Sequence, residues 1–370
     1  MTQSFDICIR GGGIVGHTLA LLLARDRLRV GLVAQASAPG TDPDVRAYAL
    51  NAKSRTLLQS VGCWPDTRHA TPVTGMQVWG DDGGEVHFSA EELAVPALTW
   101  IVDVPALEAQ LREALRFQPL ITVLDAPKPA KLTVVCEGRS SQTRQELGVD
   151  FQVSRYPQRA IAARLSCEKP HHQIARQWFT QGEILAFLPL DGEQGHSVGI
   201  VWSALESRAQ SLLDVSDAAF CTELEHLSQG CLGALQLSST RHAWPLQSAH
   251  ASRWTGTTGT QVWALAGDAA HNIHPLAGQG LNLGLGDVAE LASILHQRAF
   301  WRPVNDARLL RQYERARRSE VATTDLAMDT LQRLFSQHGA SWQALRNWGM
   351  RGFEHSGLAK QWAARQAMGL

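Results

Sequence analysis

The sequence predicts an α/β fold: a Rossmann-like domain assembled from separated chain segments, interrupted by a β-rich insert and followed by C-terminal helices. Three observations predict it. A glycine cluster sits between two apolar runs near the start of the chain. A second passage from apolar run to glycine-rich loop to helical pattern occupies residues 262–291. Between them, apolar residues alternate with a period of two over long stretches, the signature of half-buried strands.

The first element carries the most information. Gly11, Gly13 and Gly16 fit G-x-G-x-x-G. Residues 5–9 precede them as an apolar strand, and residues 17–24 follow with Leu19, Leu22 and Leu23 at helical spacing. Val30–Val33 reads as the next strand. A Gly-rich turn occurs in many α/β folds, but this strand–turn–helix–strand setting is the one a dinucleotide fingerprint requires. Glycine lets the backbone approach a pyrophosphate, and the helix N-terminus offers free N–H groups and a positive dipole end. Such a site usually ends its second strand with an acid that holds the adenosine ribose. Here the strand ends Val33-Ala34-Gln35. Gln35 can hydrogen-bond a ribose hydroxyl without charge, so binding is expected but weakened.

The remaining elements follow in order. Residues 52–60 read as a helix. Met76, Val78, Val86 and Phe88 alternate around the turn Asp81-Asp82-Gly83-Gly84, which predicts a hairpin. Residues 104–115 are helical, with Leu107, Leu111 and Leu115 on one face. Residues 126–131 form a connector before a short buried strand at 132–136. Residues 151–203 are β-rich, with apolar runs at 184–188 and 198–202, and 304–370 is mostly helical. The expected division is 1–70 with 98–150 and 255–303 as the nucleotide domain, 71–97 with 151–254 as the β-rich substrate domain, and 304–370 as a helical segment.

Composition narrows the function. A chain of 370 residues with formal net charge −1 carries no global pull toward nucleic acid. It has no apolar run long enough for a membrane span. No basic n-region or cleavage site precedes the first strand, so no signal peptide is expected. Six scattered cysteines without C-x-x-C read as reduced core residues of a cytoplasmic protein.

Two further motifs carry chemistry. LTVVCEGRSSQTR (132–144) takes a strand into Cys136-Glu137-Gly138 and a Ser/Arg-rich loop. LAGDAAHNIHPLAGQGLNLGLGDVAEL (265–291) takes a strand into Gly267-Asp268, then a loop with His271, His274 and Pro275, then Gly278-Gln279-Gly280 opening a helix. Asp268 at a strand end can accept hydrogen bonds from polyol hydroxyls. The turn over 278–282 presents a helix N-terminus that stabilises negative charge.

The three motifs, in this order and spacing, resemble the FAD-dependent aromatic hydroxylases of the p-hydroxybenzoate hydroxylase fold. Together with VRAYALNAKSRTLLQSVGCW (45–64), the third motif is most similar to the ubiquinone-biosynthesis hydroxylases, the UbiH/UbiI/UbiF-like group, and the resemblance spans nearly the whole chain. It implies a three-part, glutathione-reductase-like FAD domain. It implies FAD held by Gly11, Gly13 and Gly16 at the pyrophosphate, with Asp268 of Gly267-Asp268 at the ribityl chain. Arg46 would sit near the flavin or the nicotinamide; Arg139 and Arg144 would belong to the loop that handles FAD and NAD(P)H. His274, Pro275, Gly278, Gly280, Leu281 and Asn282 would edge the flavin ring, with no dedicated base. NAD(P)H would visit transiently, O₂ would be the oxidant, and the substrate would be a polyprenylated phenol of ubiquinone biosynthesis.

The chain departs from that family's pattern at Ala34-Gln35, at Glu137 where Asp is usual, at Glu108 where Gln is common, at Arg10 where an apolar residue is usual, and in a short 116–131 segment. FAD is therefore expected to be held weakly. The ring-side motif is complete, which favours a working hydroxylase over an accessory subunit of a quinone-biosynthesis complex. Two other signals are outweighed. GHSVG (195–199) matches the serine-hydrolase elbow, but a polar turn precedes Ser197 and a β-type run follows, where the elbow needs a strand and then a helix. His271 and His274 lack the ligand set of a metal site, so no metal is expected; His171-His172 reads as a surface loop. Trp342, Trp348 and Trp362 among Arg346, Arg351, Lys360 and Arg365 read as ordinary helix packing, with a membrane or partner surface as the alternative.

Overall fold

The computed structural model describes residues 4–34, 44–80, 83–273 and 280–336, together with Ser356. Its first sheet has six strands in the order Thr255–Thr258, Gln261–Leu265, Ala130–Val135, Phe5–Arg10, Val30–Val33 and Ile121–Leu124. All pairings are parallel except the Thr255–Thr258 edge. Parallel strands are covered on both faces and read as continuous apolar runs, which is why Phe5–Arg10 and Ala130–Val135 are legible as strands. Leu19 and Leu23 of the helix Ile14–Arg25 and Leu107 and Leu111 of Val104–Arg116 join Ile7, Ile9, Leu32 and Val134 in one core. The helix Gly280–His296 adds Val288 and Leu291 to it.

The 116–131 segment holds one strand, Ile121–Leu124, added parallel to the sheet edge beside Val30–Val33. The strand that follows starts at Ala130, inside the stretch read as a connector.

The second sheet centres on the long strand Phe151–Cys167, paired with Ser197–Leu205 and His242–Ala251. Period-two alternation divides its side chains. Ile161, Ala163, Leu165, Phe187, Ile200 and Trp202 face a core completed by Leu212 and Phe220 of the helices Glu206–Asp214 and Asp217–Leu227. Ala160, Ala162, Leu188, Gly199 and Val201 point the other way, toward the first sheet. The predicted hairpin is Gly75–Trp79 against Glu85–Ser89; its turn residues Asp81 and Asp82 lie outside the described residues.

Two short connections tie the halves together. A three-stranded sheet of Ala47–Leu50, Thr99–Asp103 and Ala70–Val73 stands between them, and Arg164 on the long strand pairs with Asp103 at 2.6 Å. The two-residue strand His271–Asn272, from the third motif, pairs with His242–Ala251.

The elbow reading of GHSVG fails on geometry: Ser197 opens the strand Ser197–Leu205, paired with Leu190 across a hairpin, and no helix follows it directly. The surface-loop reading of His171-His172 is half wrong. His172 is exposed, but His171 is buried, with Nε2 2.7 Å from the Leu190 carbonyl and Nδ1 accepting from Gln173 N. Five of the six cysteines are buried and all are free. The helix Ala307–Ser336 begins the C-terminal segment; Trp342, Trp348, Trp362 and their basic neighbours lie outside the described residues.

The fingerprint glycines make a stability prediction. A Cβ on Gly16 would lie 1.9 Å from the Gly11 carbonyl oxygen, a backbone atom that cannot step aside. Gly16→Ala is expected to lower stability by about 1–3 kcal/mol, read as a lower chemical-denaturation midpoint.

Candidate active site

A cavity of about 470 Å³ opens between the ends of the parallel strands and the small-residue face of the second sheet. At one end stands the N-terminus of Ile14–Arg25. Gly13 is its N-cap; no side chain caps it and no acid lies in its first turn. The three fingerprint glycines divide the work. Gly11 has φ +125° and sits so close to Cys136 that a Cβ would be 2.3 Å from its carbonyl oxygen. Gly11 and Gly16 therefore bring backbone against backbone, whereas Gly13 has no atom within 4 Å of a built Cβ and lines the cavity.

In the second motif Cys136, Gly138 and Arg139 line the cavity, whereas Glu137 and Arg144 are structural. The Glu137 carboxylate accepts from Ser141 Oγ (2.8 Å), Thr143 N (3.0 Å) and Thr143 Oγ1. Burial would raise its pKa, but these donors and Arg10 hold it below the usual range. Arg10 Nε lies 3.2 Å from Glu137 in poor hydrogen-bond alignment, so the contact is an ion pair rather than a formed hydrogen bond. The two departures at positions 10 and 137 are thus a matched pair. Arg144 is buried away from the cavity; it donates to the carbonyls of Ala269 and Arg139 and lies over the Phe151 ring at 3.6 Å. It braces the loop and does not line the cavity.

In the third motif Gly267 takes φ +62°, which favours glycine, and delivers Asp268 to the cavity. Burial pushes the Asp268 carboxyl up, opposed by His271 and Arg139. Behind it lies a network the motif reading missed. Asp287 of Gly280–His296 is fully buried; its Oδ2 accepts from Gly267 N (2.8 Å) and lies 2.7 Å from His271 Nε2. Its Oδ1 accepts from Arg317 Nε at 2.8 Å. Burial would raise the Asp287 pKa, but His271 and Arg317 draw it below 3.8. The one available signal was a carboxylate inside the apolar pattern LNLGLGDVAEL. His271 also stacks on Trp254 at 4.9 Å. Asn282 is likewise structural: its Oδ1 accepts from Asn51 N and Ser54 Oγ, holding the N-terminus of Ala52–Ser60.

Arg46, Glu108, Gly280 and Leu281 line the cavity, as does Tyr48, which sequence reasoning did not single out. Asp44 chelates Arg46 at 2.6–3.0 Å; this hydrogen bonding, against the cost of burial, raises the Arg46 pKa. Gln35, His274, Pro275 and Gly278 lie outside the described residues.

The charged lining groups are Arg46, Arg139 and Asp268 near strand ends and Glu108 on the helix Val104–Arg116. The opposite wall is Ala160, Ala162, Leu188, Gly199, Val201, Trp244 and Leu246, without a charge. An uncapped helix N-terminus, an open glycine and a polyol-accepting carboxylate along one cavity suit a phosphate-linked flavin dinucleotide. An uncharged wall facing them suits an apolar aromatic substrate.

Comparisons with known proteins agree. Residues 129–326 match the model of the FAD binding domain family. The chain is 30% identical to the 3-demethoxyubiquinol 3-hydroxylase of Escherichia coli, covering 100% of this chain and 99% of that one. It is 30% identical to the ubiquinone hydroxylase UbiL of Rhodospirillum rubrum, over 98% of this chain and 89% of the other. Among solved structures, p-nitrophenol 4-monooxygenase PnpA of Pseudomonas putida superposes with a TM-score of 0.77 at 19% identity, covering 100% and 97% of the two chains.

Two outcomes are expected. Asp268→Ala lowers flavin occupancy after purification, with the melting temperature of the flavin-free chain unchanged; absorbance per protein and calorimetry read both. Asp287→Asn leaves His271 and Arg317 without their charge partner and costs roughly 3–5 kcal/mol near neutral pH. Because the folded pKa is depressed, this stabilisation is present above 3.8 and fades as pH falls through the lower folded value. Urea melts of both proteins should converge in that acid range.

Proposed function

Since the chain belongs to the family of FAD-dependent hydroxylases of ubiquinone biosynthesis, we propose that it hydroxylates the ring of a polyprenylated phenol. The protein is an FAD-dependent monooxygenase of that pathway's family, and FAD is its cofactor. When bound, FAD takes electrons from NAD(P)H and activates O₂; the chain's own groups bind, orient and exclude water.

In this reading Gly13 and the helix behind it receive the pyrophosphate, and Asp268 receives the ribityl hydroxyls. Gly280 and Leu281 open the helix that faces the flavin ring, where the dipole stabilises negative charge. Arg46 and Arg139 supply positive charge for the incoming nicotinamide cofactor. His274, Pro275 and Gly278 keep the ring-edge role that the family resemblance gives them. The substrate ring lies against the uncharged wall, between Ala160, Ala162 and Gly199, where small side chains leave it room.

The observation that carries the reading is the asymmetry of one cavity: charge and helix N-termini on one side, an uncharged wall on the other. A benzoate-type substrate would need a cation on that wall, whereas a neutral prenylated phenol does not. No helix among the described residues is long and apolar enough to cross a membrane. Access to a lipid-borne substrate at a membrane surface or in a protein complex, through the basic and tryptophan-rich segment after residue 336, belongs to the same proposal.

The test is complementation of a hydroxylase-deficient strain. Wild type restores quinone synthesis. Ala162→Trp, which fills the substrate side, retains its flavin absorbance yet gives less than about one-tenth of the wild-type quinone level. Equal rescue by both would replace the catalytic reading with that of an accessory subunit.

A further inference from the structure

The fingerprint helix carries one buried ring that the fold does not satisfy. His17 follows Gly16 and is 4% exposed, and its Nδ1 is sealed from solvent without a hydrogen-bond partner among the described residues. Folded chains satisfy nearly all such groups, so one left open invites a ligand-based explanation.

Gly12 fixes where the ring sits. A Cβ built on Gly12 would lie 2.5 Å from Ala34 Cβ and 3.6 Å from His17 Nε2. The imidazole and the end of the second strand therefore flank the same glycine. That strand end is where a Rossmann site places the carboxylate that holds the adenosine ribose, and here Ala34 and Gln35 supply no carboxylate. The helix start beside it has no capping side chain and no first-turn acid. A missing polar contact and an unsatisfied polar ring thus stand side by side.

We propose that His17 takes over from the absent strand-end acid as the polar contact to the adenosine half of FAD. Burial, with the nearby charge of Arg112, holds the ring's pKa down to about 4, so it is neutral at physiological pH. A neutral imidazole offers one N–H donor and one lone pair. A ribose diol offers both partners in return. A carboxylate could only accept, and it would place a negative charge near the pyrophosphate. The side chain is a positioning group for the cofactor, remote from the reacting ring.

The inference rests on FAD occupying the glycine loop. If that premise failed, wild-type apoprotein would bind no FAD, an outcome distinct from those that follow. The test compares FAD with FMN, which lacks the adenosine half, by flavin-fluorescence titration of the full-length apoprotein. His17→Leu is expected to weaken FAD binding about tenfold, the equivalent of roughly 1.4 kcal/mol, and to leave FMN binding unchanged. His17→Gln, which keeps a donor and an acceptor, should recover most of the loss, as should Ala34→Glu added to His17→Leu. Equal weakening of FAD and FMN, or no effect on FAD, overturns the proposal. Should His17→Leu not fold, ¹⁵N-histidine-labelled wild type decides: the His17 ring resonances shift with FAD and not with FMN if the proposal holds, and stay unmoved by FAD if it does not.

Discussion

The turn that presents Asp268 to the cavity depends on one carboxylate. Asp287 is fully buried, yet it meets a backbone N–H at Gly267, the ring of His271 and the guanidinium of Arg317. Those partners belong to the strand-end turn, the loop that follows it, and the helix Ala307–Ser336. A buried charge is tolerable only when its partners are fixed, so this one draws three separate segments onto one point. Arg317 also donates to the Leu283 carbonyl, and Tyr313 donates to the Leu265 carbonyl. The long C-terminal helix thereby becomes a brace for the turn that presents Asp268. His271 and Asn272 then pair with His242–Ala251, so the same turn is anchored in both sheets.

The opposite wall rests on a simpler rule. Strands alternate, so a sheet that packs two helices on one face has a second face to dispose of. Here the helix-facing side takes Trp202, Phe187 and Ile161, while the other side takes Ala160, Ala162 and Gly199. Large residues fill the core and small ones leave a cavity. The room along the Ala160, Ala162 and Gly199 stretch of that wall follows from that distribution of volume.

Local pattern was legible and distant pairing was not. The strands Phe5–Arg10 and Val30–Val33, the helices Ala52–Ser60 and Val104–Arg116 and the hairpin after Gly75 all announce themselves through apolar spacing. So do Gly13, Asp268 and Gly280 as cavity residues, because glycine and acid at strand–helix junctions have few other uses. What escaped notice is non-local. Arg10 reads as a departure because its partner Glu137 is distant in the chain, and Arg144 reads as a ligand group although carbonyls and Phe151 occupy its guanidinium. Asp287 and Arg317 are thirty positions apart, on two helices, and no period links them. His171 was read as surface because two adjacent histidines resemble a loop; its burial depends on the Leu190 carbonyl across the hairpin.

The burial of the cysteines has a consequence for the durability of the protein. Oxidants attack thiolates far faster than thiols. Cys136 lines the cavity. Burial, with Asp287 and Glu137 nearby, pushes its pKa far above neutrality. Burial does the same, to a lesser degree, for Cys8, Cys63, Cys167, Cys221 and Cys231. Burial thus holds each sulfur toward the less reactive thiol and away from the thiolate, a protection that comes from how the core is packed.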